Sequence, residues 1–259
     1  MPTTLRPSRA LFRFSGADAQ KLLFDVVTGR LVAEPGSPVW WALLSPQGKI
    51  QAEGLSVWAD DAFWLDVDRS VADGFLRRLR IYKLRAAVEI ADFRDTHAVG
   101  SDPAAEKSHV IGTLAEAAGW GPPDDSNDAA RIAEGVAELG PDFAADTTFP
   151  HDIGMDLLGG VDFKKGCYIG QEVVSRMQHR GTARRRPVIV SGVDAPMGTP
   201  VLVGGRDSGA IGTPVRGKAV AIVRLDRFTG GEVTVGGKPV EVALPAWATY
   251  RLGESAAAD

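Results

Sequence analysis

Residues 164–172, with the sequence KKGCYIGQE, contain Cys167, the only cysteine in a chain of 259 residues. Two lysines precede it, and glycines lie one residue before it and three residues after it. Residues 170–181 then have helical spacing, which would place the thiol just before a helix N-terminus. Backbone N–H groups and cations there stabilise a thiolate. The pattern is that of a reactive thiol, and a small buried side chain at a strand-to-helix corner is the alternative.

Each of the residues around the cysteine can be interpreted as a ligand contact or as a purely structural residue. Gly166 and Gly170 allow a backbone to approach a ligand closely, or they form a tight turn without a ligand. Glu172 lies in the first turn of the predicted helix, where it would stabilise the helix dipole. A carboxylate in that position could also accept paired N–H bonds from a heterocycle such as a pterin.

Charge is concentrated in this part of the chain. Residues 164–186 contain seven lysines and arginines, and Glu172 is the only acid among them. Because the whole chain has a net charge of −4, this cluster predicts an anionic partner: a carboxylate-rich small molecule, a phosphate or an acidic protein face. A solvated basic helix end is the alternative. Aromatic residues do not alternate with the cations, so we expect no nucleic acid partner.

Composition narrows the class of protein. The chain is 44% hydrophobic and 24% charged, as in ordinary globular proteins. A single cysteine can form neither an internal disulfide nor a structural zinc site, and the four histidines lack metal-ligand spacing, so we predict no metal site. No apolar run approaches the roughly 20 residues that span a bilayer. We therefore expect a cytoplasmic protein without a membrane partner.

Hydrophobic periodicity predicts the elements that position this segment. Strands are predicted at 9–14, 39–44, 49–58, 63–67 and 85–93. Helices are predicted after Ser15 and Ser70, each with an aspartate three residues later as a capping-box partner. Strands in succession, with helices between some of them, indicate an α+β fold in which helices pack on one face of an antiparallel sheet.

The residue pattern of the sequence changes beyond Pro187. Short β-branched runs are separated by glycines, which predicts a small β-barrel or sandwich over 187–250. The stretch TVGGKPV (234–240) predicts a hairpin with a two-residue Gly-Gly turn.

The segment KKGCYIGQEVVSR (164–176) resembles the K-G-C-Y-x-G-Q-E signature of the YgfZ-type folate-binding proteins. These are relatives of the glycine-cleavage T-protein, an aminomethyltransferase, and act in iron–sulfur cluster assembly and repair. ALLSPQGKI (42–50), YKLR (82–85) and RGTARRR (180–186) are similar to further segments of that family. The resemblance covers most of residues 8–245.

This resemblance implies the T-protein fold: two ferredoxin-like α+β domains and a C-terminal β-barrel around a central channel. We predict a discontinuous first folate-binding domain at 1–30 and 95–186, a second α+β domain at 31–94, and the barrel domain at 187–250. The channel would hold tetrahydrofolate or a folate derivative.

The resemblance also implies the site residues. Cys167 would be the catalytic or reactive thiol. Folate would be bound by the remaining motif residues, and Arg176 would attract its glutamate tail. The predicted folate-binding residues are Lys165, Gly166, Tyr168, Gly170, Gln171, Glu172 and Arg176.

The implied function is that of an accessory factor that binds tetrahydrofolate and assembles or repairs iron–sulfur proteins, those with four-iron four-sulfur clusters in particular. Its partners would be folate, cluster assembly proteins and client proteins, with a transient contact between Cys167 and a cluster. A folate-dependent aminomethyltransferase or demethylase is the first alternative, although T-proteins have K-G-D-F-I-G where this chain has Cys167. An interaction protein that has lost the ligand is the second.

Overall fold

The computed structural model describes residues 3–105, 107, 109–181 and 183–254. The chain divides into two compact units, and both are discontinuous in sequence. Unit 1 contains residues 1–124 and 159–171, and unit 2 contains residues 125–158 and 172–259.

A five-stranded antiparallel sheet forms the centre of unit 1, in the order β3-β4-β5-β2-β6. Its first helix follows β2 and its second follows β5. The elements are β2 (Arg9–Ser15), α1 (Ala19–Val26), β3 (Val39–Leu44), β4 (Ile50–Ala59), β5 (Ala62–Asp68), α2 (Ala72–Lys83) and β6 (Glu89–Asp92). The predicted strands of this region are confirmed, except that the last one is reduced to four residues.

The two faces of this sheet have different partners, as strand alternation requires. One face packs against α1 and α2, and Phe75 of α2 lies at its centre with ring centroids 5.4 Å from those of Phe12 and Trp41. The opposite face presents Leu11 and Trp64 to a second sheet, where Val99 packs against them. Unit 1 is therefore a layered α+β structure.

The second sheet of unit 1 has three antiparallel strands in the order β1-β7-β8. These are β1 (Thr4–Leu5), β7 (His97–Ser101) and β8 (Val110–Thr113), and the short helix α3 (Leu114–Ala117) follows directly.

A buried ion cluster lies on strands β2, β4 and β5. Nε of Arg9 donates to Oδ2 of Asp66 at 2.7 Å, and Nη1 lies 3.9 Å from Oε1 of Glu53. The Nε1 group of Trp40 donates to the other oxygen of Glu53 at 2.7 Å. Burial alone would raise the pKa of Asp66, but the Arg9 guanidinium and the neighbouring His109 side chain hold it well below its usual range.

Both predicted capping boxes of unit 1 are wrong. Helix α1 begins at Ala19, after Asp18 rather than Ser15, and no side chain caps it. The Asp18 carboxylate instead accepts a hydrogen bond from the backbone N–H of Ala87 at 2.7 Å. Before α2, the Asp68 carboxylate accepts from the N–H of Ser70 at 2.9 Å and starts a 3₁₀ turn that leads into the helix. At α1 the predicted capping aspartate bonds to a backbone group that is distant in sequence. At α2 the capping carboxylate belongs to Asp68, two residues before Ser70.

Unit 2 combines two helices with a seven-stranded sheet in the order β14-β13-β10-β11-β12-β9-β15. The helices are α4 (Ser126–Glu134) and α5 (Gln171–Arg180), whose first residue belongs to unit 1. The strands are β9 (Arg185–Ser191), β10 (Pro200–Val203), β11 (Arg206–Ile211), β12 (Lys218–Arg224), β13 (Val233–Val235), β14 (Lys238–Pro239) and β15 (Glu241–Ala243).

One continuous segment closes this sheet into a barrel. β14 pairs with β13 at one end of the strand order, β15 pairs with β9 at the other, and only Val240 separates β14 from β15. A barrel removes the exposed edges that an open sheet would have. The predicted C-terminal barrel is confirmed, and so is its hairpin, in which Gly236 and Gly237 have φ of 57° and 77°.

The boundaries of the two units lie at other positions in the sequence than the predicted domain boundaries. The sheet of unit 1 joins β2, from the predicted first domain, to β3, β4, β5 and β6, from the predicted second. The predicted domain boundaries stay a prediction. Among the helices of the described residues, none is long and apolar enough to cross a membrane.

Candidate functional site

The cysteine lies on an irregular loop of unit 1, which we call the cysteine loop (residues 160–170). The side chains of Lys165 and Tyr168 are buried, whereas Gly166 and Cys167, which lie between them, are exposed. The two buried side chains fix the loop on both sides of the thiol, and the thiol itself faces solvent. The alternative of a buried structural cysteine is therefore wrong.

Lys165 holds the cysteine loop to the end of helix α1. Its ammonium group donates hydrogen bonds to the backbone carbonyls of Phe24 at 2.9 Å, of Val27 and of Gly29 at 3.2 Å. The last carbonyls of a helix have no partner within the helix, and their partial negative charge favours a cation. All three N–H groups are used, so Lys165 positions the loop, and its role as a folate contact stays a prediction.

Two aromatic rings flank the same ammonium group. Nζ of Lys165 lies 5.0 Å from the ring centroid of Phe24 and 4.9 Å from that of Tyr168. Cations are attracted to the negative faces of aromatic rings at such distances. Lys165 and Tyr168 of the signature are thus brought together.

The first part of the cysteine loop is fixed by a threonine and an aspartate. The hydroxyl of Thr28 donates to the carbonyl of Gly160 at 2.7 Å, and the carbonyl of Thr28 accepts from the N–H of Asp162 at 3.0 Å. Oδ1 of Asp162 then accepts from the backbone N–H groups of Lys164 at 2.8 Å and Lys165 at 3.2 Å. This turn orients Lys165 towards α1.

Gly170 closes the other end of the cysteine loop against the turn between β3 and β4. It has φ of 77°, and a Cβ there would lie 2.5 Å from the carbonyl oxygen of Ser45. Gly170 thus allows a close approach between two backbone segments, and its role as a ligand contact stays a prediction. These segments, 42–50 and 164–176, are two of those that carry the family resemblance.

We expect Gly170→Ala to destabilise unit 1 by about 3 kcal/mol, because it combines a disfavoured φ with a backbone clash. Gly159→Ala is a matched control, since Gly159 has φ of 76° but nothing lies within 4 Å of its Cβ position. Its cost should be only about 1 kcal/mol. Urea denaturation of both variants measures the difference, and equal losses would contradict the close approach.

The remaining predicted residues have exposed side chains or polar groups that make no hydrogen bond within the described residues. The hydroxyl of Tyr168 is buried and makes no hydrogen bond within the described residues, and burial together with Asp162 raises its pKa to about 12. Glu172 is exposed in the first turn of α5, and Arg176 is exposed one turn later. Gln171 is half-buried at the first position of α5.

Part of the basic cluster is already paired within unit 2. Arg185 donates to Asp152 at 2.8 Å, and Arg186 makes two bonds to Asp156 at 2.7 and 3.0 Å. Arg176 and Arg184 remain exposed. The attraction for anions that the sequence predicts for the whole arginine run is therefore limited to its exposed members.

Sequence reasoning missed the residues that anchor the cysteine loop. Asp162 could have been found, because an aspartate carboxylate in a turn commonly accepts hydrogen bonds from the backbone N–H groups two and three residues later. Phe24 and Thr28 carry no such local signal, since they lie more than 130 positions from their partners.

The pKa of Lys165 predicts a dependence of stability on pH. Burial lowers this pKa from 10.5 to about 8, and Asp162 and Asp25 oppose the shift only partly. Between these pH values the unfolded chain binds more protons than the folded one, so the free energy of unfolding rises with pH. We expect the stability difference between wild type and Lys165→Met to widen from pH 7.5 to pH 10. A constant difference in urea denaturation would contradict this.

Comparison with solved structures identifies the fold. The chain superimposes on the crystal structure of glycine cleavage system aminomethyltransferase T from Bartonella henselae with a TM-score of 0.74, over 96% of this chain and 87% of that one. The chain shares the aminomethyltransferase fold. At 14% sequence identity the likeness concerns the fold alone, and it confirms the fold class expected from the sequence.

Sequence comparisons point to iron–sulfur assembly factors. Residues 183–250 match the family model of the CAF17 C-terminal beta-barrel domain. The chain is 28% identical over 216 residues to the mitochondrial iron–sulfur cluster assembly factor IBA57 homolog of Pyricularia oryzae, with 71% of this chain and 55% of that protein covered. The homolog of Phaeosphaeria nodorum is 30% identical, with 70% and 53% covered.

The chain thus spans little more than half the length of several of the relatives it matches. The homolog of Aspergillus fumigatus is covered further, with 24% identity over 88% of this chain and 67% of that protein. These relatives are described as mitochondrial. A cytoplasmic location for this chain stays a prediction.

Proposed function

We propose that this protein acts in the assembly or repair of iron–sulfur proteins, with Cys167 as its reactive thiol. The observation that carries the proposal is the exposed position of Cys167 on a loop that Lys165 and Tyr168 fix from both sides. A loop anchored in this way presents a thiol to a partner without a large loss of conformational entropy. The similarity to assembly factors supports the same conclusion.

Cys167 would act as a transient ligand of a cluster that passes to or from a client protein. A four-iron four-sulfur cluster usually takes four thiolate ligands, and this chain contains one cysteine. Within the described residues, no group of three or more His, Cys, Asp and Glu could hold a metal ion. The other ligands must therefore come from an assembly partner, a client protein or small thiols.

The proposal includes tetrahydrofolate or a folate derivative as the cofactor. Two groups of the signature suit it: the buried hydroxyl of Tyr168, which has no hydrogen-bond partner within the described residues, and the exposed carboxylate of Glu172. Glu172 would accept N–H bonds from the pterin, and Arg176 would attract the carboxylates of the glutamate tail. When bound, tetrahydrofolate would supply a carrier for one-carbon units.

A second candidate is a folate-dependent aminomethyltransferase or demethylase. The specific observation in its favour is the shared aminomethyltransferase fold. This candidate requires turnover, in which a one-carbon unit leaves the substrate and methylenetetrahydrofolate accumulates. Formation of that product from tetrahydrofolate and an aminomethyl donor, with release of ammonia, would favour it over the assembly role.

The test of the assembly role is complementation of cells that lack the gene. We expect four-iron four-sulfur enzymes to lose most of their activity in these cells under oxidative stress. The wild-type chain should restore the activity, whereas Cys167→Ser at equal expression should not. Full activity of the cluster enzymes in the deletion strain would refute the role.

The test of folate binding is a tetrahydrofolate titration followed by tryptophan fluorescence, since the chain has six tryptophans. Wild type and Cys167→Ser should bind with equal affinity, because the thiol serves the chemistry. Glu172→Gln should weaken binding at least about tenfold, the effect of losing about 1.4 kcal/mol. Absence of saturable binding by wild type would remove folate from the proposal and leave the assembly role to be judged by complementation.

A further inference from the structure

A second surface of unit 1 has the properties of a docking site, at the C-terminal end of helix α2. Ile81 is 62% exposed and Leu84, directly after the helix, is 84% exposed. Single exposed apolar side chains are common on protein surfaces. Ile81 lies in the last turn of α2 and Leu84 follows the helix directly, so both apolar side chains are exposed at the same end of α2.

The backbone of Leu84 is held in a conformation that disfavours leucine. Its φ of 46° and ψ of −110° lie in a region that suits glycine. The turn after it is fixed from two sides: Ala86 N–H donates to the carbonyl of Lys83 at 2.8 Å, and Ala87 N–H donates to the Asp18 carboxylate at 2.7 Å. Strain of this kind persists only where the surroundings impose it, and it is concentrated at functional sites.

The same surface is strongly basic. Residues 77–85 contain five cations and no acid. Arg77 and Arg85 are exposed, and neither makes a hydrogen bond or an ion pair within the described part of the chain. The only acid of α2, Asp73, is paired with Arg94 at 2.8 Å.

A groove accompanies these charges. It has a volume of about 560 Å³ and is lined by Asp73, Leu76, Arg77, Arg80 and Ile81. The helix dipole explains cations in the last turn. It explains neither the cation one turn earlier at Arg77 nor the exposed Ile81 and Leu84.

The exposed cations and apolar side chains at this end of α2 together favour one class of binding partner. A free cationic rim around two apolar side chains complements an acidic segment that carries apolar side chains of its own. Single-stranded nucleic acid would call for exposed aromatic side chains, and Tyr82 packs against the core instead. A duplex would be bound through its phosphates alone and would leave the exposed Ile81 and Leu84 without a partner. A membrane surface would call for a longer apolar face than two residues.

We propose that this surface binds an acidic, leucine-containing helical segment of another protein. The apolar side chains of that segment would contact Ile81 and Leu84, and its carboxylates would pair with Arg77, Arg80 and Arg85. The proposal is independent of the chemistry assigned to Cys167.

The test uses a fluorescein-labelled helical peptide of about 16 residues, with leucine at every third or fourth position and mostly glutamate elsewhere. Fluorescence anisotropy should show saturable, salt-sensitive binding to the whole chain. Arg77→Glu and Ile81→Ser should each weaken it at least about tenfold. Arg206→Glu and Leu114→Ser are matched controls on other exposed positions, and they should leave the affinity unchanged.

Leu84→Gly separates docking from folding. Glycine relieves the strain at this position, so Tm should stay unchanged or rise by about 2 to 4 °C while peptide binding falls at least about tenfold. Three results would overturn the proposal: no saturable binding, equal losses in the control variants, or binding of RNA or anionic vesicles that depends on these residues when the peptide does not bind.

Discussion

Replacement of Arg9 with methionine is expected to lower the free energy of unfolding of unit 1 by about 3 to 5 kcal/mol at pH 7. The variant keeps the volume of the side chain but removes its charge and its bonds to Asp66 and Glu53. Both carboxylates are buried, and an uncompensated charge in a protein interior is among the most destabilising changes known.

The pH dependence of this effect identifies its cause. The lowered pKa of Asp66 contributes stability that is fully present above its unfolded value of 3.8 and is lost as the pH falls below it. Without Arg9, only His109 among these two neighbours still opposes the effect of burial, so the pKa of Asp66 rises and protonation at acid pH relieves part of the unpaired charge. The loss in Arg9→Met should therefore be smaller at pH 4.5 than at pH 7.

Arg13→Met is the matched control for this experiment, which is read by urea denaturation. Arg13 lies on the same strand and the same face as Arg9, but its bonds are at the surface. We expect a loss of no more than about 1 kcal/mol. A similar loss in both variants, or a loss in Arg9→Met that grows on acidification, would show that the buried charges are not its source.

Replacement of Lys165 with methionine is expected to cost about 3 kcal/mol and to release the cysteine loop. Methionine preserves the apolar stem but leaves three carbonyls at the end of α1 without their donor. Each buried acceptor left unsatisfied costs about 1 to 3 kcal/mol, and removal of a partly desolvated charge offsets some of the sum.

Two measurements check the Lys165 prediction. Urea denaturation gives the loss of stability, and hydrogen exchange should show faster exchange of the amides of Gly166, Cys167 and Tyr168. Lys164→Met is the control, because Lys164 is exposed and should change the stability by no more than about 0.5 kcal/mol. Equal losses of stability and equal amide exchange rates in Lys165→Met and Lys164→Met would show that Lys165 does not anchor the loop.

Much of the local structure could be predicted from the sequence, for reasons that its residues make plain. Alternation in RALFRF predicts β2, and the continuous apolar run VWWALL predicts β3, whose side chains are buried along almost its whole length. The Gly-Gly pair at 236–237 predicts its hairpin because both positions need a positive φ. The fold class followed from the family resemblance.

The contacts that position the site could not be predicted. The partners of Lys165 are backbone carbonyls of Phe24, Val27 and Gly29, which any residue type could provide. The sequence predicts Ser15 as a cap with Asp18 as its partner, but the Asp18 carboxylate accepts from the N–H of Ala87, 69 positions away. Side-chain bonds to remote backbone groups leave no pattern in a single sequence.

The discontinuity of unit 1 has a consequence for the moment at which the thiol becomes functional. Residues 125–158 belong to unit 2 and are made before the cysteine loop. At about 5 to 20 residues per second, the ribosome takes roughly 2 to 7 s to cross this insertion. During that interval helix α1 lacks the ammonium group at its C-terminal end, so the nascent unit 1 can complete its fold only when Cys167 itself has been translated.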